Sequence, residues 1–386
     1  MSKPLHFYAT PFSLYSGKVR SYLRKAGIAF EERLPSHSDH MTHVVPRVGR
    51  VVLPTVTMAD GTVHQDTTEI IDALEPQSRA PGVYPDSPRQ RITALILELF
   101  GDEGLLRPAM HYRWHYREAH DHYLSLEFAR AMNPKADGVE ADNMAEPMKA
   151  QFSGYLPMLG VTAQTTDLIE DTYLDLLADL DRHFRDQPYL LGFRPCIADY
   201  GMIAPLYAHL GRDPVPAKLM KEKALRVWRW VERMQTAGAD MPEFAGAEPV
   251  LLPDDVIPHT LKAVLRLVAT DYLPELRALS AFMDNWLDRH GNEVREGAPV
   301  ITEKGQRTLG TMEIDLRGTP VTVAARHFSL WMLQRVQDAY DGLDAAGRAS
   351  VDALLAETRL QEIVTLRPAR RIERKDYVEV WGAQRS

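Results

Sequence analysis

The chain has 386 residues, of which 45% are hydrophobic and 25% are charged, and its formal net charge is -8. This length is too great for one simple core, so we expect two or three domains. The negative charge offers no broad basic field for nucleic acid or anionic lipid, which disfavours a nucleic-acid partner. The single cysteine, Cys196, excludes an intramolecular disulfide and a cysteine-built metal cluster within one chain.

The N-terminus and the hydropathy pattern bear on the compartment. The first residues, MSKPLHFYATPF, lack the long apolar core of a signal peptide. No uninterrupted apolar run approaches the ~20 residues that span a bilayer. We therefore expect a cytoplasmic protein that has no membrane partner.

The first third of the N-terminal region predicts a strand, a helix and a second strand. Residues 5–9 form the first strand, which ends at a Thr10-Pro11 break. Apolar residues then recur at helical spacing up to Gly27, a natural residue to follow a helix. Residues 28–33 return as a second strand. Such a unit is expected to be right-handed, with parallel strands.

The next segment predicts a hairpin followed by a helix. Two apolar runs flank the dipeptide Asp60-Gly61, which is typical of a tight hairpin turn. A helix follows, with Asp66 or Thr67 as its N-cap and Ile70, Ile71 and Leu74 on its apolar face.

Three segments of this region resemble a known family. They are PFSLYSGKVR, VVLPTV and QDTTEIIDALE, in that order within about seventy residues. Together they resemble the N-terminal domain of cytosolic glutathione transferases, of which long forms occur in bacteria. The resemblance implies an α+β chain with a thioredoxin-like glutathione-binding domain followed by an all-helical domain. Glutathione is then a co-substrate, and no metal is expected.

The resemblance also implies which residues activate the thiol. Glutathione conjugation needs a thiolate, since the thiol is a poor nucleophile. A hydroxyl that donates a hydrogen bond to the sulfur favours the anion, aided by a helix N-terminus. Ser13 lies where the family places this residue. Ser16 is the alternative, although we expect Ser16 to be the N-cap of the first helix. The strand residue Tyr8 comes too early for this role, and we expect it to be packed.

The other implied contacts hold the cysteinyl and γ-glutamyl parts of the tripeptide. Leu53 and Pro54 match the family's pair with a cis-proline, whose preceding backbone binds the cysteinyl part of glutathione; an ordinary trans proline is the alternative. Asp66 and Thr67 match the acidic–Ser/Thr pair that grips the γ-glutamyl end. The pair departs from the usual Glu/Gln–Ser, and a plain helix N-cap explains the same residues.

Beyond a proline-rich linker at 76–88, the pattern is helical to about residue 240. Asp199 is expected to accept from the backbone N–H of Cys196 and close half of a capping box that resembles the family's internal motif. The aromatic and basic run at 107–116 has two interpretations, a lining for the second substrate or an amphipathic helix with its aromatics in the core.

The last 140 residues exceed the family's usual length. Apolar spacing predicts helices around 276–287, 328–340 and 351–355, with a hairpin at Arg317-Gly318. The basic run at 367–375 is expected to be solvated or ion-paired. The predicted domains are 1–78 (glutathione-binding), 84–242 (all-helical, second substrate) and 250–386 (extension, a structural annex, lid or partner surface).

The function that follows is that of a glutathione transferase, whose thiolate attacks an electrophilic, apolar small molecule. The alternative is a non-catalytic binding or scaffold protein that kept the fold. The segment Ser13-Leu14-Tyr15-Ser16 carries no CxxC, which excludes dithiol chemistry. A homodimer is expected by analogy.

Overall fold

A computed structural model describes residues 4–78, 80–238, 240–291, 294–303, 306 and 308–385. Its strands are β1 (Leu5–Tyr8), β2 (Phe30–Arg33), β3 (Thr55–Thr57), β4 (Val63–Gln65), β5 (Thr311–Leu316), β6 (Thr319–Ala324), β7 (Arg370–Lys375) and β8 (Val378–Gln384). Its α-helices are α1 (Leu14–Lys25), α2 (Val45–Val48), α3 (Thr67–Leu74), α4 (Pro88–Leu99), α5 (Leu106–His115), α6 (Arg117–Met132), α7 (Gly138–Ser153), α8 (Thr166–His183), α9 (Ile197–Ala208), α10 (Pro214–Lys223), α11 (Leu225–Met234), α12 (His259–Asp271), α13 (Leu273–His290), α14 (Phe328–Asp341) and α15 (Ala345–Thr358).

The first four strands form one mixed sheet with the order β2-β1-β3-β4. β1 and β2 are parallel and are joined by α1, which confirms the predicted strand–helix–strand unit. β3 runs antiparallel to both β1 and β4. The hairpin turn at Asp60-Gly61 is also confirmed, with the Met58 N–H donating to the Thr62 carbonyl at 2.8 Å. The fold class is α+β, with a thioredoxin-like N-terminal domain.

The start of α1 corrects one prediction. Its N-cap is Ser13, which has extended backbone and whose hydroxyl oxygen accepts from the Ser16 N–H. Ser16 lies inside the helix and is fully buried, so the prediction that Ser16 caps the helix was wrong. The helix ends as predicted, with Gly27 at a positive φ of 64° after the Ala26 C-cap.

The helical region is built around α9, which is buried along almost its whole length. A Cβ on Gly101 would lie 2.4 Å from the Gly201 carbonyl carbon, and a Cβ on Gly201 would lie 2.5 Å from the Glu98 Cα. Two facing glycines therefore allow α9 to pass unusually close to the end of α4. The predicted helices of this region are confirmed as α8, α9 and α11. Across the described ranges, the helices lack the combined length and apolar character that a membrane span requires.

The start of α9 confirms the predicted cap. The Cys196 N–H donates to Asp199 Oδ2 at 3.0 Å, and the Leu190 N–H and Trp230 Nε1 both donate to Oδ1, at 3.1 and 3.0 Å. The carboxylate is fully buried. One side chain thus satisfies three buried donors from three parts of the helical region.

The extension is folded and packs on the rest of the chain. It contains α12 to α15 and two hairpins, β5–β6 and β7–β8. Helices α14 and α15 both contact α4. The predicted hairpin at Arg317-Gly318 and the three predicted helices are confirmed. One connected apolar core contains residues of all three predicted domains, from Leu5 to Trp381. The three-domain division therefore stays a prediction.

The second hairpin was missed in the basic run at 367–375. Strand β7 has a single fully buried apolar residue, Ile372, while Arg371 and Arg374 are ion-paired and Arg370 donates to the Gly382 carbonyl. The Gln334 side chain of α14 bonds to the main chain of this strand. It donates to the Ile372 carbonyl at 2.5 Å and accepts from the Ile372 N–H at 2.9 Å. The expected ion pairing is confirmed, but it occurs within a strand.

Replacement of Asp199 by alanine tests the cap of α9. The change leaves three buried donors unpaired, so we expect the free energy of unfolding to fall by about 3 kcal/mol or more, measured by urea denaturation. Cys196→Ser is the matched control, since it keeps Asp199 and supplies a better capping group; its effect should stay within about 1 kcal/mol. Equal effects of the two variants would contradict this account.

Candidate functional site

The predicted site residues follow or precede three neighbouring strands at one edge of the sheet. The register places Tyr8 opposite Thr55 and Thr55 opposite Gln65. Strand β1 ends in this row, β3 begins there and β4 ends there. Because neighbouring strands lie about 4.8 Å apart, the turn with Ser13, the pair Leu53-Pro54 and the start of α3 come together at this edge.

Ser13 and Ser16 differ in access. Ser13 is partly exposed, and its oxygen accepts from the Ser16 N–H at 3.3 Å. Ser16 is buried, and its oxygen accepts from the Thr10 N–H at 3.4 Å. A hydroxyl that only accepts keeps its own proton for another partner. Ser13 is thus the serine whose O–H is available to a ligand at this edge.

Tyr15, in the first turn of α1 next to Ser16, does not compete for that role. Its hydroxyl donates to the Asp102 carbonyl at 3.2 Å and lies 3.5 Å from Glu103 Oε1. Burial, with these acidic neighbours, raises the pKa of Tyr15 well above its ordinary value. The phenol is therefore protonated and directed away from a ligand, towards the helical region.

The peptide bond between Leu53 and Pro54 is cis, as the resemblance implied. Neither the N–H nor the C=O of Leu53 makes a hydrogen bond within the described residues. Leu53 is half-buried, and Pro54 is buried. The main chain at Leu53 therefore presents one donor and one acceptor, which is what an extended peptide ligand requires.

Asp66 is the N-cap of α3, as one of the two predictions had it. Its Oδ1 accepts from the Thr68 and Glu69 N–H groups at 2.9 and 3.3 Å. Its φ is 79°, a left-handed value that is uncommon for a residue other than glycine and recurs at functional sites. Oδ2 has no partner in the part of the chain described, and the same holds for the Thr67 hydroxyl. Asp66 is thus a helix N-cap, and its Oδ2 and the Thr67 hydroxyl remain available to a ligand.

A buried charge cluster lies behind the edge. Lys18 Nζ is 2.8 Å from Glu98 Oε1, 2.5 Å from Asp102 Oδ2 and 3.1 Å from Thr68 Oγ1. The lysine and the carboxylates have side chains at most 2% exposed. Asp102 comes from a π-helical turn, Phe100–Gly104, which follows α4 directly; such turns are frequent at functional sites.

Two carboxyl groups share this one ammonium. Burial raises the pKa of Asp102 to about 8, against the Lys18 ammonium, which lowers it. Burial alone would lower the pKa of Lys18, but the two carboxylates offset this and hold it above its usual value. The cluster therefore retains a carboxyl proton near neutral pH, a consequence of two acids facing one base in a dry site.

The predicted second-substrate segment is mostly buried. In α5, Met110 and Trp114 pack with Phe12 and Phe128 in an apolar cluster. Arg113 donates to the Phe12 carbonyl at 3.0 Å and is paired with Asp213. The core interpretation of this segment is favoured, although the cluster reaches Phe12, the residue directly before Ser13.

Two residues of the extension, missed in the sequence, border the site. Arg374 Nη2 donates to Gln65 Oε1 at 2.9 Å and its Nε lies 3.2 Å from Glu69 Oε1. The Tyr377 hydroxyl donates to the Val63 carbonyl at 3.2 Å. The basic run was the only signal in the sequence, and it did not show which of its arginines turns inward.

Comparisons with known proteins agree with this N-terminal architecture. Residues 7–82 match the family model for the glutathione S-transferase N-terminal domain. Curated protein sequences give no significant match to the chain.

Solved structures similar to the chain include three of this kind. Beta-etherase LigF from Sphingobium sp. strain SYK-6 has 20% identity and a TM-score of 0.43, and the match covers 64% of this chain and 100% of that one. A GST-like protein from Pseudomonas syringae has 16% identity and a TM-score of 0.42, covering 84% and 96%. A glutathione S-transferase from Methylobacterium radiotolerans JCM 2831, in complex with glutathione sulfonate, has 16% identity and a TM-score of 0.36, covering 65% and 99%.

Because these TM-scores and identities are low, the assignment is based on the family model and on the sheet itself. The strand order, the cis-proline before β3 and the helix that starts after β4 define a thioredoxin-like domain. Residues 7–82 are therefore similar to a glutathione S-transferase N-terminal domain, and helices follow them.

The proton held at Asp102 predicts a pH dependence of stability. Between the ordinary pKa of an aspartate and about 8, the folded protein binds a proton that the unfolded chain has released, so stability falls as pH rises through this window. In the wild type this loss of stability should reach up to about 1.4 kcal/mol per pH unit. In Asp102→Asn it should disappear, because the titrating carboxyl group is absent. Urea denaturation from acidic to mildly basic pH measures the slope.

The matched control is Thr68→Val, which alters the same cluster but removes no titratable group. It should keep the wild-type slope. Parallel curves for Asp102→Asn and the wild type would show that the proton is not held at this site.

Proposed function

We propose that the protein is a glutathione transferase whose site is the sheet edge formed by Ser13, Leu53, Pro54, Asp66 and Thr67. The observation that carries the proposal is the common row of Tyr8, Thr55 and Gln65, beyond which all five residues lie. Two helices, α1 and α3, also begin at this edge. Their N-termini favour anions, and glutathione brings a thiolate and carboxylates.

The chemistry assigned to Ser13 is stabilisation of the thiolate. Its O–H donates to the glutathione sulfur, while the Ser16 N–H holds the Ser13 oxygen in place. The positive end of α1 adds to this stabilisation. The thiol pKa falls, and the thiolate attacks the electrophilic carbon of the second substrate. The thiol proton leaves to solvent, and the sulfur–carbon bond forms as the leaving group departs or the acceptor is protonated.

The cysteinyl and γ-glutamyl parts of glutathione are assigned to the other residues. The cysteinyl main chain pairs with the N–H and C=O of Leu53, beside Pro54. The free Oδ2 of Asp66 accepts from the γ-glutamyl ammonium, and the Thr67 hydroxyl donates to the neighbouring carboxylate. The apolar cluster around Phe12 and Trp114 receives an apolar second substrate.

A non-catalytic binding protein is the second candidate, and one observation favours it. Asp66 already spends one carboxylate oxygen on the start of α3. Its other oxygen can make one contact with a ligand ammonium. A glutamate at this position would extend further toward the ligand than the shorter aspartate does. Glutathione binding without turnover across a panel of electrophiles would select this candidate.

The remaining features of the proposal follow from the family. We propose a cytoplasmic protein that forms a homodimer, with a glutathione-binding domain at 1–78, a helical second-substrate domain at 84–242 and an extension at 250–386. Sedimentation of the purified chain measures the oligomeric state.

Ser13→Ala tests the assignment of the thiol partner. Loss of a hydrogen bond to a charged sulfur should lower kcat/KM with a chloronitrobenzene electrophile by about 10- to 100-fold. It should also raise the pKa of the bound thiol, followed by thiolate absorbance against pH. Calorimetric affinity for glutathione should change less than the rate.

Ser16→Ala is the matched control, since Ser16 is buried and faces the Thr10 N–H. It should keep kcat/KM within about threefold while lowering stability slightly. Full activity in Ser13→Ala, with loss in Ser16→Ala, would transfer the role to Ser16. A wild-type protein that does not bind glutathione at millimolar concentration would refute the proposed function.

A further inference from the structure

The turn of the C-terminal hairpin touches both sides of the candidate groove. One side is the segment 50–53 that leads into Pro54, and the other is the segment 63–69 that contains the end of β4 and the start of α3. We call these segments the two walls. Residues Arg374 and Tyr377 of the hairpin connect them, although both lie more than 300 positions away in the sequence.

Arg374 contacts the second wall with a buried guanidinium. Its side chain is 3% exposed and is ion-paired with Glu69 and with Glu379 of the same hairpin. It donates to Gln65 Oε1 at 2.9 Å. The guanidinium also lies 5.6 Å from the ring centres of Phe328 and Trp331 of α14. Arg374 thus joins the end of β4 and the start of α3 to the extension through one hydrogen bond and one ion pair.

Tyr377 contacts both walls. Its hydroxyl donates to the Val63 carbonyl at 3.2 Å, and its own carbonyl accepts from Arg50 Nη2 at 3.1 Å. Its ring packs against the same apolar cluster as Leu53 does, the cluster of Tyr8, Val44, Val48 and Val63. One residue at the hairpin tip therefore holds both sides of the groove.

The backbone conformation at the hairpin tip is unfavourable for Tyr377. Asp376 and Tyr377 have φ values of 50° and 68° between β7 and β8, the pattern of a two-residue turn that favours glycine at its second position. The other hairpin, β5–β6, follows that preference with Arg317 and Gly318 at 52° and 85°. A tyrosine in a left-handed turn position is held there by its surroundings, and the wall contacts are those surroundings.

Among the described residues, the hairpin bonds beside the candidate ligand contacts and not to them. Its hydrogen bonds to the two walls go to Arg50, Val63 and Gln65, and its ion pair goes to Glu69; these residues flank the candidate ligand contacts. In the described ranges, it makes no hydrogen bond to Ser13, to the Leu53 backbone or to the Thr67 hydroxyl. This placement is that of a brace beside a site rather than of a plug within it.

We propose that Arg374 and Tyr377 are positioning residues, which hold the two walls at the separation that a bound tripeptide requires. The proposal rests on the proposed function for the identity of the ligand. Its physical basis is preorganisation: walls that are already fixed lose less conformational freedom when the ligand binds. Removal of the brace should therefore weaken glutathione binding and leave the chemical step, at Ser13, intact.

The experiment compares three variants of the full-length chain. Arg374→Met keeps the aliphatic stem and removes the guanidinium. Tyr377→Gly removes the side chain and gives the turn its preferred residue, so the hairpin should still fold. Arg371→Met is the matched control, because Arg371 lies on the same strand but pairs with Asp338 and Glu373, both within the extension.

Two readouts separate this proposal from the proposed function. The first is amide hydrogen exchange of the two walls without any ligand. The second is calorimetric affinity for glutathione together with the separate kcat and KM. Arg374→Met should speed exchange in the second wall, and Tyr377→Gly in both walls, by about fivefold or more. Both variants should raise Kd and KM by about tenfold, with kcat within about twofold. Arg371→Met should do neither.

The outcomes are distinguishable. Unchanged wall exchange in a folded Arg374→Met and in Tyr377→Gly overturns the brace, whatever the ligand. Faster exchange with unchanged glutathione affinity also overturns it as a device for this ligand, while the proposed function stands. Faster exchange in a protein whose wild type does not bind glutathione refutes the proposed function and supports only the brace. If Arg374→Met fails to fold, Tyr377→Gly decides.

Discussion

The register of three strands is the constraint on which the site depends. Thr55 lies between Tyr8 and Gln65 in one row, and a slip of one residue would turn each strand's side chains to the opposite face of the sheet. The register is set by packing, since Tyr8 is buried against the His40 ring at 4.9 Å between centres and shares a cluster with Val63. The edge that gathers Ser13, Leu53 and Asp66 is thus a product of the core.

The buried ammonium of Lys18 orients the two helices that start at this edge. It joins α1, through the lysine itself, to α3 through Thr68 and to α4 through Glu98. Buried ion pairs often add little net stability, because both ions lose their hydration. Their contacts are directional, however, and an apolar replacement would hold α1 and α3 together without fixing their relative orientation. We therefore assign the cluster an orienting role beneath the groove.

The sequence was informative wherever a local pattern determined the structure. The Asp60-Gly61 turn, the Cys196–Asp199 cap and the three predicted helices of the extension all depend on neighbours within a few positions, and all were confirmed. The cap of α1 was assigned to the wrong serine because both Ser13 and Ser16 fit a capping position by type. Only the extended backbone at Ser13 separates them.

Long-range contacts were outside the reach of such patterns. Strand β7 is a run of arginines with one buried isoleucine, and nothing local says that Arg374 turns inward while Arg371 faces Asp338. The same holds for Lys18, whose partners lie about eighty positions away. The candidate ligand contacts were named from a resemblance, and their roles stay predictions.

The aspartate at position 66, where the family usually has Glu or Gln, is related to the extension through charge. A short acid at the start of α3 bonds to its own helix, and it places a carboxylate beside Glu69. These like charges repel one another in a partly buried place, where water screens them poorly. Burial alone would lower the pKa of Arg374, but Asp66, Glu69 and Glu379 more than offset this and raise it. The extension therefore supplies the cation that balances the acidic start of α3, and the first eighty residues would lack that balance without it.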